Sequence, residues 1–230
     1  MIAQASAARA PCASPRAGVL LVNLGTPEAP TAAAVRSYLA EFLSDPRVVE
    51  LPRLLWLPLL HGVILNVRPR KSAEKYAQVW TDEGSPLMVH TMRQAKLLRG
   101  YLGDKHMPVH AVEFAMRYGK PSVGERLERL RQSGCERITV LPLYPQYAAS
   151  TTASVVDAID AWRRRAGAVA APRVIEQYPE DAGYLGALEA LVRRHWSANG
   201  RGARLLMSFH GLPQRAVDRG DPYQRQCFAT

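Results

Sequence analysis

Cysteine is scarce in this chain of 230 residues: Cys12, Cys135 and Cys227 are the only three, far apart and without a C-x-x-C spacing. That excludes a disulfide framework and a zinc knuckle, and a reducing cytosol suits such usage, so the chain is expected to be cytoplasmic. Nucleotide signatures are missing too. Neither G-x-G-x-x-G nor G-x-x-x-x-G-K-S/T occurs, so no nucleotide cofactor is expected. No apolar run reaches the ~20 residues of a membrane span. The nearest, residues 51–67, is broken by Pro52, Arg53, Pro58 and His61. It reads as a buried helix or as an apolar lip beside a pocket, and peripheral membrane contact is compatible with it. Residues 1–17, rich in Ala and carrying Arg9, Pro11, Pro15 and Arg16, hold no long apolar stretch; they read as a disordered leader and not as a secretory signal.

Acidic residues are the other shortage. Twenty Asp and Glu stand against thirty Lys and Arg, a formal charge of +10. Such a balance favours nucleic acid, an anionic membrane surface or a polyanionic small molecule. The basic residues are scattered, with short clusters at Arg68-Pro69-Arg70-Lys71 and Arg163-Arg164-Arg165 and no stripe interleaved with aromatics. Nucleic-acid binding is therefore not expected. What is plentiful is ordinary core material: hydrophobic residues make up 47% of the chain, enough for a sizeable core without staples.

The order of patterns is strand, then helix, repeated. Residues 18–24 form a continuous apolar run, as in a strand covered on both faces. Gly25-Thr26-Pro27 ends it, and Thr31 can cap a helix with Val35, Tyr38, Leu39, Phe42 and Leu43 on one face. Beyond the lip lie a polar helical stretch at 73–80, a Gly84-Ser85-Pro86 break and a helix to about 102. Strands at 109–116 and 137–143 are each followed by a helix, at 122–132 and from Ser150 to about 165. The aperiodic stretch 167–172 suits a domain boundary; a strand at 173–177, a helix at 181–195 and a strand at 204–209 follow. This alternation predicts α/β architecture with doubly wound, Rossmann-like parallel sheets and ligands outside the carboxyl ends of the strands. The expected domains are 18–168, with the lip at 51–67, and 169–230, the start of a second and incomplete α/β domain, since two strands are too few for a stable sheet.

Four strand ends carry polar groups. His210, directly after an apolar strand and before Gly211, either presents its imidazole into a crevice or is a satisfied capping histidine. Ser150, Thr151 and Thr152 open a helix, where free backbone N–H groups attract anions, although plain capping needs only one hydroxyl. Arg117-Tyr118 is a carboxylate anchor with an aromatic wall, or a surface arginine. The fourth is the Asn23–Thr26 turn. Spacing alone supports an α/β protein that binds an anionic ligand, with one exposed histidine.

Taken in order, these segments resemble the ferrochelatase family. The matching stretches are Leu20-Leu-Val-Asn-Leu-Gly-Thr-Pro-Glu28, Lys75-Tyr76 with Gly84-Ser-Pro-Leu87, Phe114-Ala-Met-Arg-Tyr118, Tyr144-Pro-Gln-Tyr147 with Ser150-Thr-Thr152, Ser208-Phe-His-Gly-Leu-Pro213, and Gly220-Asp-Pro-Tyr223. The resemblance implies insertion of ferrous iron, a substrate, into a porphyrin to give haem. It places His210 at the metal and at the leaving pyrrole protons. It implies substrate contacts at Arg117, Tyr118, Ser85 and Arg68, beside which Thr26, Ser150 and Thr151 are candidate binding groups. Leu24, where coproporphyrin-using relatives tend to have tyrosine, favours protoporphyrin IX. The family's partner glutamate, in a short E-T-x-x-E-type motif, and its carboxyl-terminal cysteine cluster are not in this sequence. No iron–sulfur centre can therefore be assigned, and the chain is expected to insert iron poorly. A non-catalytic tetrapyrrole-binding module is the alternative, and an anion-binding domain unrelated to porphyrins is a third.

Overall fold

A computed structural model of the chain describes residues 15–230. Of the expected leader, residues 1–14 lie outside the described part, and Ala17 already belongs to a strand.

Four parallel strands form one sheet: β1 (Ala17–Gly25), β2 (Val109–Tyr118), β3 (Arg137–Pro142) and β4 (Arg173–Val174), in the order β2-β1-β3-β4. β1 sits in the middle with Leu21 opposite Phe114 on one side and Leu141 on the other. The period-2 pleat explains its unbroken apolar run, because alternate residues serve different layers. Leu20 and Val22 pack with Val123, Leu127, Val155, Ile159 and Trp162, from helices α5 (Val123–Gln132) and α6 (Ser154–Ala166). Leu21 faces the opposite layer, against Ala95 of α4 (Pro86–Asp104). A third cluster gathers Val35, Tyr38, Leu39 and Leu43 of α1 (Ala32–Ser44) with Leu60, Leu65, Ala73 and Tyr118. Fully burying each such aliphatic side chain stabilises the fold by roughly 1.5–3 kcal/mol.

Local signals account for the boundaries. The Thr31 hydroxyl accepts from the Ala34 amide at 3.3 Å and starts α1. Ser122 and Glu125 form a reciprocal capping box at the head of α5. Gly25 ends β1 with φ +118°, and a Cβ there would lie 1.9 Å from the Tyr118 carbonyl oxygen, so only glycine fits.

The expected lip is helical: α2 (Arg53–Leu59), a π-helical turn (Leu60–Ile64) and α3 (Leu65–Val79). Most of it is exposed, Leu54 by 91% and Leu55 by 73%, while Leu60 and Leu65 are buried, so it is not a wholly buried helix.

The carboxyl-terminal part departs from expectation. The strand expected at 173–177 is confined to Arg173–Val174 and joins the edge of the same sheet, with Val140 opposite Val174. Residues 204–209, expected as a strand, form none: Leu205, Leu206 and Met207 are exposed and pair with no neighbour. A strand needs a ladder to satisfy its amides, and the two-residue β4 leaves no edge long enough to recruit it. Helix α7 (Ala182–Asn199) buries none of its residues, and α8 (Gln214–Asp218) and α9 (Tyr223–Ala229) end the chain.

Candidate functional site

Strand ends and the last two helices enclose a cleft of about 410 Å³. Leu24 enters it from the end of β1, Phe42 from α1, and Leu143 and Tyr144 from the end of β3. Ser150 and Thr151 belong to a π-helical turn (Ala149–Ala153) that precedes α6, and both face the cleft. His210 through Pro213, Asp221 and Tyr223 complete the lining. The volume lies within the ~300–1,000 Å³ usual for small-molecule sites, and the mixture of apolar wall and few polar groups is also usual.

The segment that carries His210 is held by side chains. The His210 amide donates to the Tyr223 hydroxyl at 3.1 Å. The Asp221 carboxylate accepts from the Ala149 amide at 2.8 Å and from the Tyr223 amide at 3.0 Å. The Gln226 side-chain oxygen accepts from the Tyr147 amide at 2.7 Å. The loop after β3 is thereby stitched to α9. Glu50 at the rim accepts from Arg219 at 2.7 Å and sits 3.6 Å from Arg215. Arg47, also at the rim, donates to both oxygens of Asp157, at 2.7 and 3.1 Å.

Three of the expected site residues therefore meet at the cleft: His210, Ser150 and Thr151. Arg117 and Tyr118 do not line it. They form a buried hub behind it, centred on Asp45. Asp45 Oδ2 accepts from Arg117 Nη2 at 2.7 Å, from the Tyr118 hydroxyl at 2.7 Å and from the Ser154 hydroxyl at 2.6 Å, while Oδ1 accepts from the Arg47 amide at 2.7 Å. Arg117 Nε donates to the Ser154 carbonyl and hydroxyl, and its guanidinium lies 4.4 Å from the centre of the Tyr118 ring. The carboxylate this arginine was expected to anchor is thus matched from within the chain. Burial alone raises the Asp45 carboxyl, but hydrogen bonds from Ser154, Tyr118 and the Arg47 amide, with the Arg117 charge, outweigh it and hold Asp45 below the ordinary carboxylate range. Tyr118 is pushed well above its usual range, first by burial. Its ring meets Phe42 edge-on at 5.0 Å, so it reaches the cleft only through that side chain.

Thr26 and Ser85 are placed apart. The Thr26 hydroxyl donates to Ser85 Oγ at 2.8 Å, and both are buried. Thr26 borders a separate polar crevice with Glu41, Gly119 and Lys120. Arg68 lies exposed on α3.

Asp45, Tyr144, Asp221 and Tyr223 are positions whose place at or behind the cleft sequence reasoning left without a role. Asp221 and Tyr223 had a signal in the Gly220-Asp-Pro-Tyr223 motif. Asp45 had none, because its partners are 72, 73 and 109 positions away. The Tyr144 hydroxyl is buried without a hydrogen-bond partner among the described residues, a cost of about 1–3 kcal/mol for a donor. Among the described residues no three His, Cys, Asp or Glu side chains converge as a metal cage. The cleft offers one imidazole and two carboxylates, both already engaged.

A family model described as Ferrochelatase matches residues 16–230. Over 215 residues the chain is 58% identical to the ferrochelatase of Aromatoleum aromaticum and 59% identical to that of Methylibium petroleiphilum, in each case across 94% of this chain. The ferrochelatase of Xanthomonas axonopodis pv. citri is 56% identical across 93% of the chain. The chain spans 59% of the length of the first two relatives and 65% of the third. With its fold, its motifs and this likeness taken together, the chain belongs to the ferrochelatase family.

Proposed function

We propose that the cleft binds a porphyrin, protoporphyrin IX, and that His210 serves insertion of ferrous iron into it. The observation that carries this reading is one imidazole, exposed, in the lining of an apolar-walled cleft that a hydroxyl-bearing turn also lines. A flat macrocycle needs the apolar wall of Leu24, Phe42 and Leu143, and its anionic propionates need the donors of Ser150 and Thr151 and the basic rim. Leu24 puts an aliphatic side chain at the end of β1, in keeping with the less polar porphyrin.

Insertion breaks two pyrrole N–H bonds, forms bonds from the ring nitrogens to Fe²⁺ and releases two protons, with no change in oxidation state. A neutral imidazole accepts one proton at a time or donates its lone pair to the arriving metal. Among the described residues His210 is the only such group lining the cleft, since Glu50 and Asp221 are both hydrogen-bonded. One base for two protons makes slow turnover the expected behaviour of this chain. The same observation favours a second reading, a module that binds tetrapyrrole without inserting metal.

The exposed leucines of the lip, flanked by Arg53, Arg68, Arg70 and Lys71, suit contact with an anionic bilayer surface, where an apolar substrate would reside. Among the described residues no helix is long and apolar enough to cross a membrane.

Titration of the chain into protoporphyrin, followed at the Soret band, with haem formation on addition of Fe²⁺ under anaerobic conditions, tests the proposal. His210→Ala is expected to keep porphyrin affinity within a few-fold and to abolish insertion. Binding without turnover in the unmodified chain selects the module, and no binding at micromolar porphyrin rejects both readings. Unchanged insertion by the variant removes His210 from the chemistry.

A further inference from the structure

The Gly220-Asp-Pro-Tyr223 motif has no part in the chemistry above, yet its side chains link two segments of the cleft lining. Asp221 Oδ2 receives the Ala149 amide, at the head of the turn bearing Ser150 and Thr151, at 2.8 Å. Oδ1 of the same carboxylate receives the Tyr223 amide at 3.0 Å, which fixes the residue whose hydroxyl receives the His210 amide at 3.1 Å. Residues 204–209 before His210 are in no sheet, and Leu206 is 90% exposed. The backbone of His210 therefore depends on this chain of contacts for its place.

We infer that Asp221 is a positioning residue that sets the His210 imidazole against the hydroxyl-bearing turn, through Ala149 on one side and Tyr223 on the other. A bridging carboxylate suits the task. It presents two acceptor oxygens in a fixed plane, and charge-assisted hydrogen bonds of this kind are about twice as strong as neutral ones. A shift of about 1 Å at the imidazole is enough to misplace it over a ring centre. The functional consequence rests on the iron-insertion reading; the positioning itself does not.

Amide hydrogen exchange on the full 230-residue chain reads the positioning without any ligand. In Asp221→Ala the amides of His210 and Ala149 are expected to exchange about tenfold faster, the equivalent of 1.4 kcal/mol, while those of Leu20–Val22 keep their rates. Tyr223→Phe is expected to release His210 alone. Acceleration at Ala149 with His210 unchanged in Asp221→Ala overturns the inference and leaves Asp221 as a loop cap. Should Asp221→Ala unfold the chain, Asp221→Asn decides: faster exchange at His210 supports the inference, and an unchanged rate at His210 refutes it. With protoporphyrin added, the His210 imidazole ¹⁵N signals are expected to shift in the unmodified chain and to respond less in Asp221→Ala. A response of equal size in both overturns the inference. Absence of porphyrin binding by the unmodified chain sinks the insertion reading, and the exchange data still decide the role of Asp221.

Discussion

Replacing Asp45 by Asn tests the hub behind the cleft. The residue is 8% exposed, and its carboxylate receives four donors, one of them the half-hidden Arg117 guanidinium. An amide of the same shape keeps one acceptor oxygen but turns an NH₂ toward the Arg117 guanidinium or the Arg47 amide, which can only donate. The charge opposite Arg117 is also lost. Removing one partner of a buried pair costs about 3–5 kcal/mol, consistent with several charge-assisted hydrogen bonds each falling from about 1.5–3 to about 0.5–1.5 kcal/mol. For a chain of this size each kcal/mol moves Tm by about 2–4 °C, so a drop of roughly 6–20 °C at pH 7 is expected in a circular-dichroism melt. The pH dependence supplies the control. Because the folded carboxyl lies below its ordinary value of 3.8, the stability it contributes is present above that value and is lost as pH falls through the lower, folded one. The two proteins should therefore begin to converge in Tm below pH 3.8 and meet once the pH is under the lower, folded value, where the wild-type side chain is a neutral acid. A Tm difference of under about 3 °C at pH 7, equivalent to roughly 1 kcal/mol, or one that persists unchanged in acid, would refute the assignment.

Gly25→Ala should destabilise by about 3 kcal/mol or more, since the new methyl would meet the Tyr118 carbonyl in a backbone conformation that L side chains avoid; an unaltered urea midpoint would contradict this. Leu54→Asp combined with Leu55→Asp should reduce co-sedimentation with anionic vesicles roughly tenfold or more, because each leucine contributes about 1.5–3 kcal/mol when its apolar surface leaves water. The melting curve should stay the same, as both side chains already face solvent. Retained vesicle binding would take the lip out of any membrane role.

Patterns local in the chain were enough for the elements from β1 to α6 and for their order. The apolar run of β1, the Thr31 cap, the capping box at Ser122 and the Gly25 turn are consequences of neighbours a few residues apart, and a parallel sheet follows from strands alternating with helices. The Ser150–Thr151 turn was legible for the same reason, because strand ends in such a sheet open onto one edge; His210 lines the same cleft without the strand expected before it. Only the tertiary structure decided which of the expected binding residues face that edge. Arg117 carries a guanidinium that sequence cannot distinguish from a substrate anchor until Asp45, far away in the chain, is seen to occupy it. Thr26 and Ser85 satisfy each other across 59 positions, and residues 204–209 have strand composition without a strand to pair with. Hydrogen-bonding capacity is written in the residue type, but which partner consumes it depends on distances that exist only once the chain is folded.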